Sequence, residues 1–340
     1  GFSIDSAIRV AHFGISTVIS IIDDLLVEKI RKHYCKEYSL PYSVIPRWAE
    51  DGRAKRIAAY LEMVKVIVNK NFKAVQKLPF FEKNDKEKYF SMLPEKSLLR
   101  IKWQKLLEME PCELRDEKSD QLTAQMSPGS IDVNIMSKVD RMNTDKNGNL
   151  LGEEYSDARS ALRGYASTSL ESSIIFSAGI NQGLYSYMTE FRDFYRNSSG
   201  KIKKKIILKV SDFRSALIQG KFLAKKGLEI YEFRIESGLN CGGHAFASNG
   251  ELLPVLLKEI REKRNQLSVS FRPLIEKYYE KMGWKFPEVV RSHEPLITVQ
   301  GGIGTTGEID RLVKDFGMDQ VGIASPFLLV PEATCVDEPT

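Results

Sequence analysis

Residues 295–327, PLITVQGGIGTTGEIDRLVKDFGMDQVGIASPF, read as a strand, a glycine turn, an amphipathic helix and a second strand, in that order. Leu296, Ile297 and Val299 form a short apolar run that stops at Gly301 and Gly302, where missing side chains let a ligand oxygen approach the backbone amides. Gly304, Thr305 and Thr306 then lead into a helix whose Ile309, Leu312, Val313 and Phe316 recur at helical spacing, and Gly317 closes it. The amides at such a helix start have no partner within the helix and lie at its positive end, so they favour a phosphate. Residues 318–324 form the next expected strand, and Ser325 follows with a hydroxyl at the same rim.

Two successive strand-to-helix turns built of glycines and hydroxyls are what a barrel of parallel strands uses, after its last two strands, to hold a phosphate. Gly301, Gly302, Gly304, Ala324 and Ser325 are the candidate ligand-binding positions there; a purely structural turn is the alternative.

Working back from this stretch, apolar strand-like runs lie at 17–22, 131–136, 172–178, 205–210 and 230–235, each followed by a helical pattern. With the two strands of the opening stretch the count is seven. The first of them is preceded by a helix, Ala7, Ile8, Val10 and Ala11 after a Ser3-Ile4-Asp5 cap, so one strand is expected upstream. The total of eight repeated strand–helix units predicts a (β/α)8 TIM barrel with its first strand missing from this chain. A long helix from Gly52 with Ile57, Leu61, Val64 and Val68 on one face, and a second carrying Leu99, Trp103 and Leu106, exceed what a strand–helix unit needs. Residues 46–125 are therefore expected as a helical insertion, with 1–45 and 126–340 forming the barrel. A helix at 252–264 is expected to precede a second, smaller insertion over 265–294.

The net charge of +5 over 340 residues is too mild to argue for nucleic acid, and the densest basic run, KIKKK at 201–205, reads as a solvated strand entry. The four cysteines are scattered, with neither metal spacing nor a disulfide framework, which points to a reducing compartment. No apolar run approaches the roughly 20 residues of a membrane span, and the N-terminus lacks a signal pattern. A cytoplasmic protein with no membrane partner is expected. The start at Gly1 and the polar end ATCVDEPT suggest a piece of a longer parent chain.

Among candidate site residues, His244 follows Gly242 and Gly243 after a strand, on the same expected rim as the phosphate turns. Histidine exchanges a proton near neutral pH, and the glycine pair lets a flat ligand lie against the backbone; a histidine that merely caps a loop is the alternative. Lys209, at a strand end, reads as a cation beside a negatively charged ring or as a snorkelling side chain. Asn134 reads as a donor and acceptor to a ring edge or as a satisfied buried amide. Asn143, Asp145, Asn147, Gly148 and Glu154 are spaced as in a calcium loop, but Asn at the first position and the lack of a preceding helix favour a polar turn. His12, His33 and His293 have no partners at metal spacing, and no metal is expected.

The order of motifs resembles the nitronate monooxygenase family, formerly called 2-nitropropane dioxygenases, and its flavin-dependent enoyl reductase relatives. Asp132-Val133-Asn134 resembles the family's Gly-Val-Asn strand, and residues 237–244, SGLNCGGH, resemble its Gln-Gly-x-Glu-Ala-Gly-Gly-His loop. Gln300-Gly301-Gly302-Ile303 and Ala324-Ser325-Pro326-Phe327 are similar to its Ala-Gly-Gly-Ile and Gly-Thr-Arg-Phe turns. The resemblance covers most of residues 1–30 and 130–330 and explains neither insertion. It implies flavin mononucleotide (FMN) held by its phosphate at the last two turns, and His244 acting on a small-molecule substrate beside the flavin. Ser237, Asn240 and Pro326 depart from the family's Gln, Glu and Arg, which bears on the substrate more than on the flavin. A flavin-free barrel binding a phosphorylated ligand for isomerase or lyase chemistry, and a degenerate barrel serving as an interaction module, are the competing expectations.

Overall fold

The computed structural model describes residues 4–137, 140–236, 253–287, 294–301 and 303–323. Among them, seven strands form one parallel sheet in sequential order: β1 (Thr17–Ile21), β2 (Ile131–Ile135), β3 (Ser172–Phe176), β4 (Lys204–Val210), β5 (Ile230–Glu236), β6 (Leu296–Gln300) and β7 (Gln320–Gly322). Every crossover joins neighbouring strands, which is the winding of a barrel; a doubly wound sheet reverses its order at a switch point. One cavity touches all seven strands, so the sheet bends around it. The chain is thus α/β, with a curved, singly wound parallel sheet.

The strands form where expected because their outward residues are apolar and β-branched or aromatic: Ile19 and Ile21, Val133 and Ile135, Ile174 and Phe176, Phe233 and Ile235, Ile297 and Val299 are all buried against helices. Those helices are α1 (Ser6–Val10), α2 (Asp24–Glu37), α3 (Gly52–Lys77), α7 (Asp157–Ala166), α8 (Gln182–Tyr187), α9 (Phe213–Ala224), α10 (Leu253–Lys281) and α11 (Thr306–Lys314). Three more, α4 (Asp85–Ser91), α5 (Leu98–Leu107) and α6 (Glu113–Ala124), gather around a separate cluster of Phe72, Tyr89, Phe90, Trp103 and Leu122.

Within the stretch expected as an insertion, α3 shares the core of the sheet. Its Ile57, Tyr60, Leu61, Val64 and Ile67 belong to the main apolar cluster. Contact with α7 is close because Gly164 has no side chain: a Cβ there would lie 2.7 Å from the Ala54 carbonyl oxygen and 3.1 Å from Ile57 Cβ. A second difference concerns the end of the chain. The helix expected to stop at 264 continues to Lys281, because Leu256, Ile260, Leu267, Phe271, Ile275 and Tyr279 keep one buried stripe. Pro273 removes one internal hydrogen bond without interrupting that stripe.

The basic run at 201–205 also departs from expectation. Lys201 is exposed, but Lys204 is fully buried, with Nζ donating to the Tyr165 carbonyl (3.1 Å) and Thr168 Oγ1 (2.8 Å) and lying 4.4 Å over the Tyr165 ring. Strand alternation carries Lys204 outward under α7 and Lys205 into the concave face. No carboxylate among the described residues pairs with Lys204, and burial pushes its pKa down to about 7. The unfolded lysine titrates near 10.4. Between those values the unfolded chain binds the extra proton, so stability rises with pH across roughly 7 to 10, and below about 7 the penalty is complete. Lys204→Met is expected to stabilise the fold at pH 7 by about 2–4 kcal/mol and to flatten this slope. Urea denaturation of both proteins at pH 7 and pH 9.5 measures it; an equal difference at the two pH values rejects the assignment.

Candidate functional site

Inward-facing residues of the seven strands wall a cavity of about 760 Å³. Barrels usually fill this space with branched apolar side chains. Here the lining is largely polar, with Ser20, Asn134, Ser173, Lys209, Arg234 and Thr298 among its contributors.

At the C-terminal ends of the strands, Asn134 Nδ2 lies 3.5 Å from Ser20 Oγ on the neighbouring strand, while its Oδ1 is buried without a hydrogen-bond partner. Lys209 Nζ is 2.7 Å from Glu236 Oε1, and Gln300 Nε2 donates to the same oxygen at 3.3 Å. These three side chains tie the ends of β4, β5 and β6 together. Deeper in, Arg234 pairs with Glu232 at 2.8 Å. Asp132 accepts the Ser173 amide at 2.8 Å and the Ser130 hydroxyl at 3.3 Å. Burial raises the Asp132 pKa, against the opposing pull of the Ser173 amide and of Arg234.

The glycine turn after β6 puts its amides to definite use. Gly301 adopts a φ of +93°, which a side chain would strain, and its N–H donates to the Gly322 carbonyl at 3.3 Å. At the start of α11, the amides of Gly304 (2.9 Å) and Thr305 (3.0 Å) and the Thr305 hydroxyl (3.1 Å) converge on one oxygen of Glu308. Thr305 Oγ1 in return accepts from the Glu308 amide, completing a capping box. The Gly304 amide, with the hydroxyl and amide of Thr305, holds the Glu308 carboxyl below its ordinary pKa. An anion therefore sits at this helix start, and it is the chain's own. Glu308 is exposed, so an incoming phosphate has only to turn it aside.

Glu308→Ala should accordingly favour a phosphate-bearing ligand over its phosphate-free counterpart, with FMN and riboflavin as the probe pair, by roughly 3- to 10-fold. The Thr305 cap on the residue-308 amide remains in this variant, so the helix should be kept. Fluorescence titration with both flavins checks this; equal changes for the two exclude a phosphate at the turn.

Of the residues expected from sequence, Asn134, Lys209, Gly301 and Gly304 belong to the same C-terminal side of the sheet. His244, Gly242, Gly243, Gly302, Ala324 and Ser325 lie outside the described residues. Residues 143–150 form a polar hairpin turn: Thr144 and Leu150 pair, Asp145 Oδ1 accepts the amides of Asn147 and Asn149, and Asn143 Nδ2 donates to the Tyr155 carbonyl and to Asp157. Among the described residues no group of His, Cys, Asp and Glu is placed to hold a metal ion. His33 lies on the surface beside Glu37, and burial lowers the pKa of His12.

Glu232, Arg234, Glu236, Thr298 and Gln300 were not singled out from sequence. Their signal is present as alternation: Glu232, Arg234 and Glu236 fall at every second position of β5. Such a pattern ordinarily marks a face turned to water.

The fold and site define an α/β chain with a polar cavity along the inner face of seven parallel strands. No family model, curated protein or solved structure matches it. No described helix is long and apolar enough to cross a membrane.

Proposed function

We propose that this chain is an FMN-dependent oxidoreductase of the (β/α)8 barrel type, resembling nitronate monooxygenases, with an eighth strand closing the sheet between β7 and β1. The observation that carries the reading is the buried, partnerless Oδ1 of Asn134 at the cavity wall. A buried acceptor left unpaired costs about 1–3 kcal/mol, and a ring N–H relieves it. The donors gathered on Glu308 support a phosphate at the other end of the same ligand. When bound, the flavin supplies two-electron oxidation of a small-molecule substrate and is reoxidised by molecular oxygen or a second substrate. His244 takes or gives the proton at the substrate. Lys209, held by Glu236, keeps a compensated cation at the mouth.

The purified protein is expected to be yellow, or to take up FMN on reconstitution. Asn134→Leu should weaken that uptake by about 5- to 20-fold. A colourless chain that takes up no FMN sinks the reading. A barrel acting as an interaction module is then favoured, since Leu98 on α5 is 75% exposed and Leu114 on α6 is 52% exposed.

A further inference from the structure

Thr298 stands at the middle of β6, paired in register with Arg234 on β5 and Gln320 on β7. It lines the cavity and is 1% exposed, yet its hydroxyl has no hydrogen-bond partner. A valine has the same shape and carries no such penalty, so the hydroxyl is not explained by packing.

The cavity's charges narrow what such a group can serve. Its acidic and basic lining residues are three carboxylates, Asp132, Glu171 and Glu232, and three cations, Lys205, Lys209 and Arg234. Arg234 is matched by Glu232 and Lys209 by Glu236. Glu171 is paired with Lys201, and Lys205 Nζ lies 4.1 Å over the Tyr231 ring. Asp132 is satisfied by the Ser173 amide and the Ser130 hydroxyl. An ionic ligand would leave water and find the charges of Arg234, Lys209, Glu232 and Glu171 already paired and that of Lys205 laid on a ring, at a cost that these contacts do not return. A neutral polar group surrenders only hydrogen bonds, and Thr298 Oγ1 on β6 and Asn134 Oδ1 on β2 are there to remake them.

We propose that the interior of this sheet is a subsite for the uncharged, amide- or carbonyl-bearing part of a ligand, with Thr298 donating to its carbonyl oxygen and setting the preference for neutral over charged molecules. This rests on the cavity being a ligand site, as in the proposed function, and not on the ligand there being flavin. Arg234 and Lys209 then serve to balance charge, and the selectivity lies with the hydroxyl.

Ligand-observed NMR titrations with benzamide, benzoate and benzylamine test it on the protein as purified, with flavin content read from visible absorbance of the same samples. Benzamide should be held about 10-fold or more tightly than either ion. Thr298→Val should lose roughly 5- to 10-fold for benzamide while its Tm rises by about 2–4 °C, because an unpaired buried hydroxyl has gone. Thr298→Ser should keep benzamide binding. Equal retention of an ion, benzamide binding unchanged in Thr298→Val, or no probe held at all overturns the proposal, and the hydroxyl is then one met by ordered water only. A colourless chain that still prefers benzamide removes the flavin and keeps the subsite; a yellow chain without that preference does the reverse.

Discussion

Arg196→Met is expected to destabilise the protein by about 3–5 kcal/mol at neutral pH. Arg196 and Glu229 are both nearly buried, and the guanidinium donates to the carboxylate twice, Nε to Oε1 at 2.7 Å and Nη2 to Oε2 at 2.5 Å. Nη1 also donates to the Gly200 carbonyl, so one side chain pins the turn before β4 to the start of β5. Burial raises the Glu229 pKa even with Arg196 in place, because desolvation outweighs the arginine's pull. Without Arg196 the carboxylate loses both its hydrogen bonds to the guanidinium and keeps only the weaker pull of Arg272. The sign with pH follows: above its folded pKa Glu229 is ionised and the cost is full, whereas below it the group is protonated and the cost fades. The deficit should therefore shrink as pH falls toward 5. Arg196→Met combined with Glu229→Gln should recover most of the loss, since a neutral pair of similar volume carries no stranded charge. Urea denaturation of the single and double variants at pH 5 and 7.5 decides it; a deficit that is the same at both pH values, or unrelieved in the double variant, excludes this account.

On the proposed flavin reading, His244→Asn is expected to keep the flavin and to slow its reduction by substrate by about 10²- to 10⁴-fold. Asparagine retains a hydrogen-bonding group but exchanges no proton, so the pH dependence near neutrality should vanish together with the rate. The residue follows Gly242 and Gly243 in the sequence, two positions without side chains. It also comes eight positions after Glu236, whose carboxylate anchors Lys209 and Gln300 at the cavity mouth. Stopped-flow reduction under anaerobic conditions, with flavin content measured on the same preparation, separates the outcomes. Loss of flavin would make His244 a cofactor-binding residue. Reduction at the parental rate would place the proton transfer elsewhere and remove the mechanistic half of the family resemblance.

What the chain determines locally was legible from residue order. The seven strands, their parallel succession and the helix after the Gly301 turn follow from apolar runs of strand length bounded by Gly, Asn, Asp and Ser, which are short-range signals. Thr305 and Glu308 mark a helix start by their spacing alone. Residues whose meaning depends on distant partners were not legible in the same way. Lys204 and Lys201 belong to one basic run, yet one is fully buried beneath α7 and the other lies on the surface. The end of α10 was set by a stripe that finds its core only after the chain has folded back.

The division is sharpest on β5. Its alternation of Glu232, Phe233, Arg234, Ile235 and Glu236 determines a strand with two unlike faces, because side chains in a strand point alternately to either side. It does not determine that the polar face turns inward. Only the tertiary structure decides that, by bending seven strands around one cavity and supplying Lys209, Gln300 and Asp132 from other strands to meet those charges. It likewise decides that Thr298 Oγ1 and Asn134 Oδ1 are left without partners. Periodicity is a property of neighbours in the chain, whereas the satisfaction of a buried polar group is a property of neighbours in space.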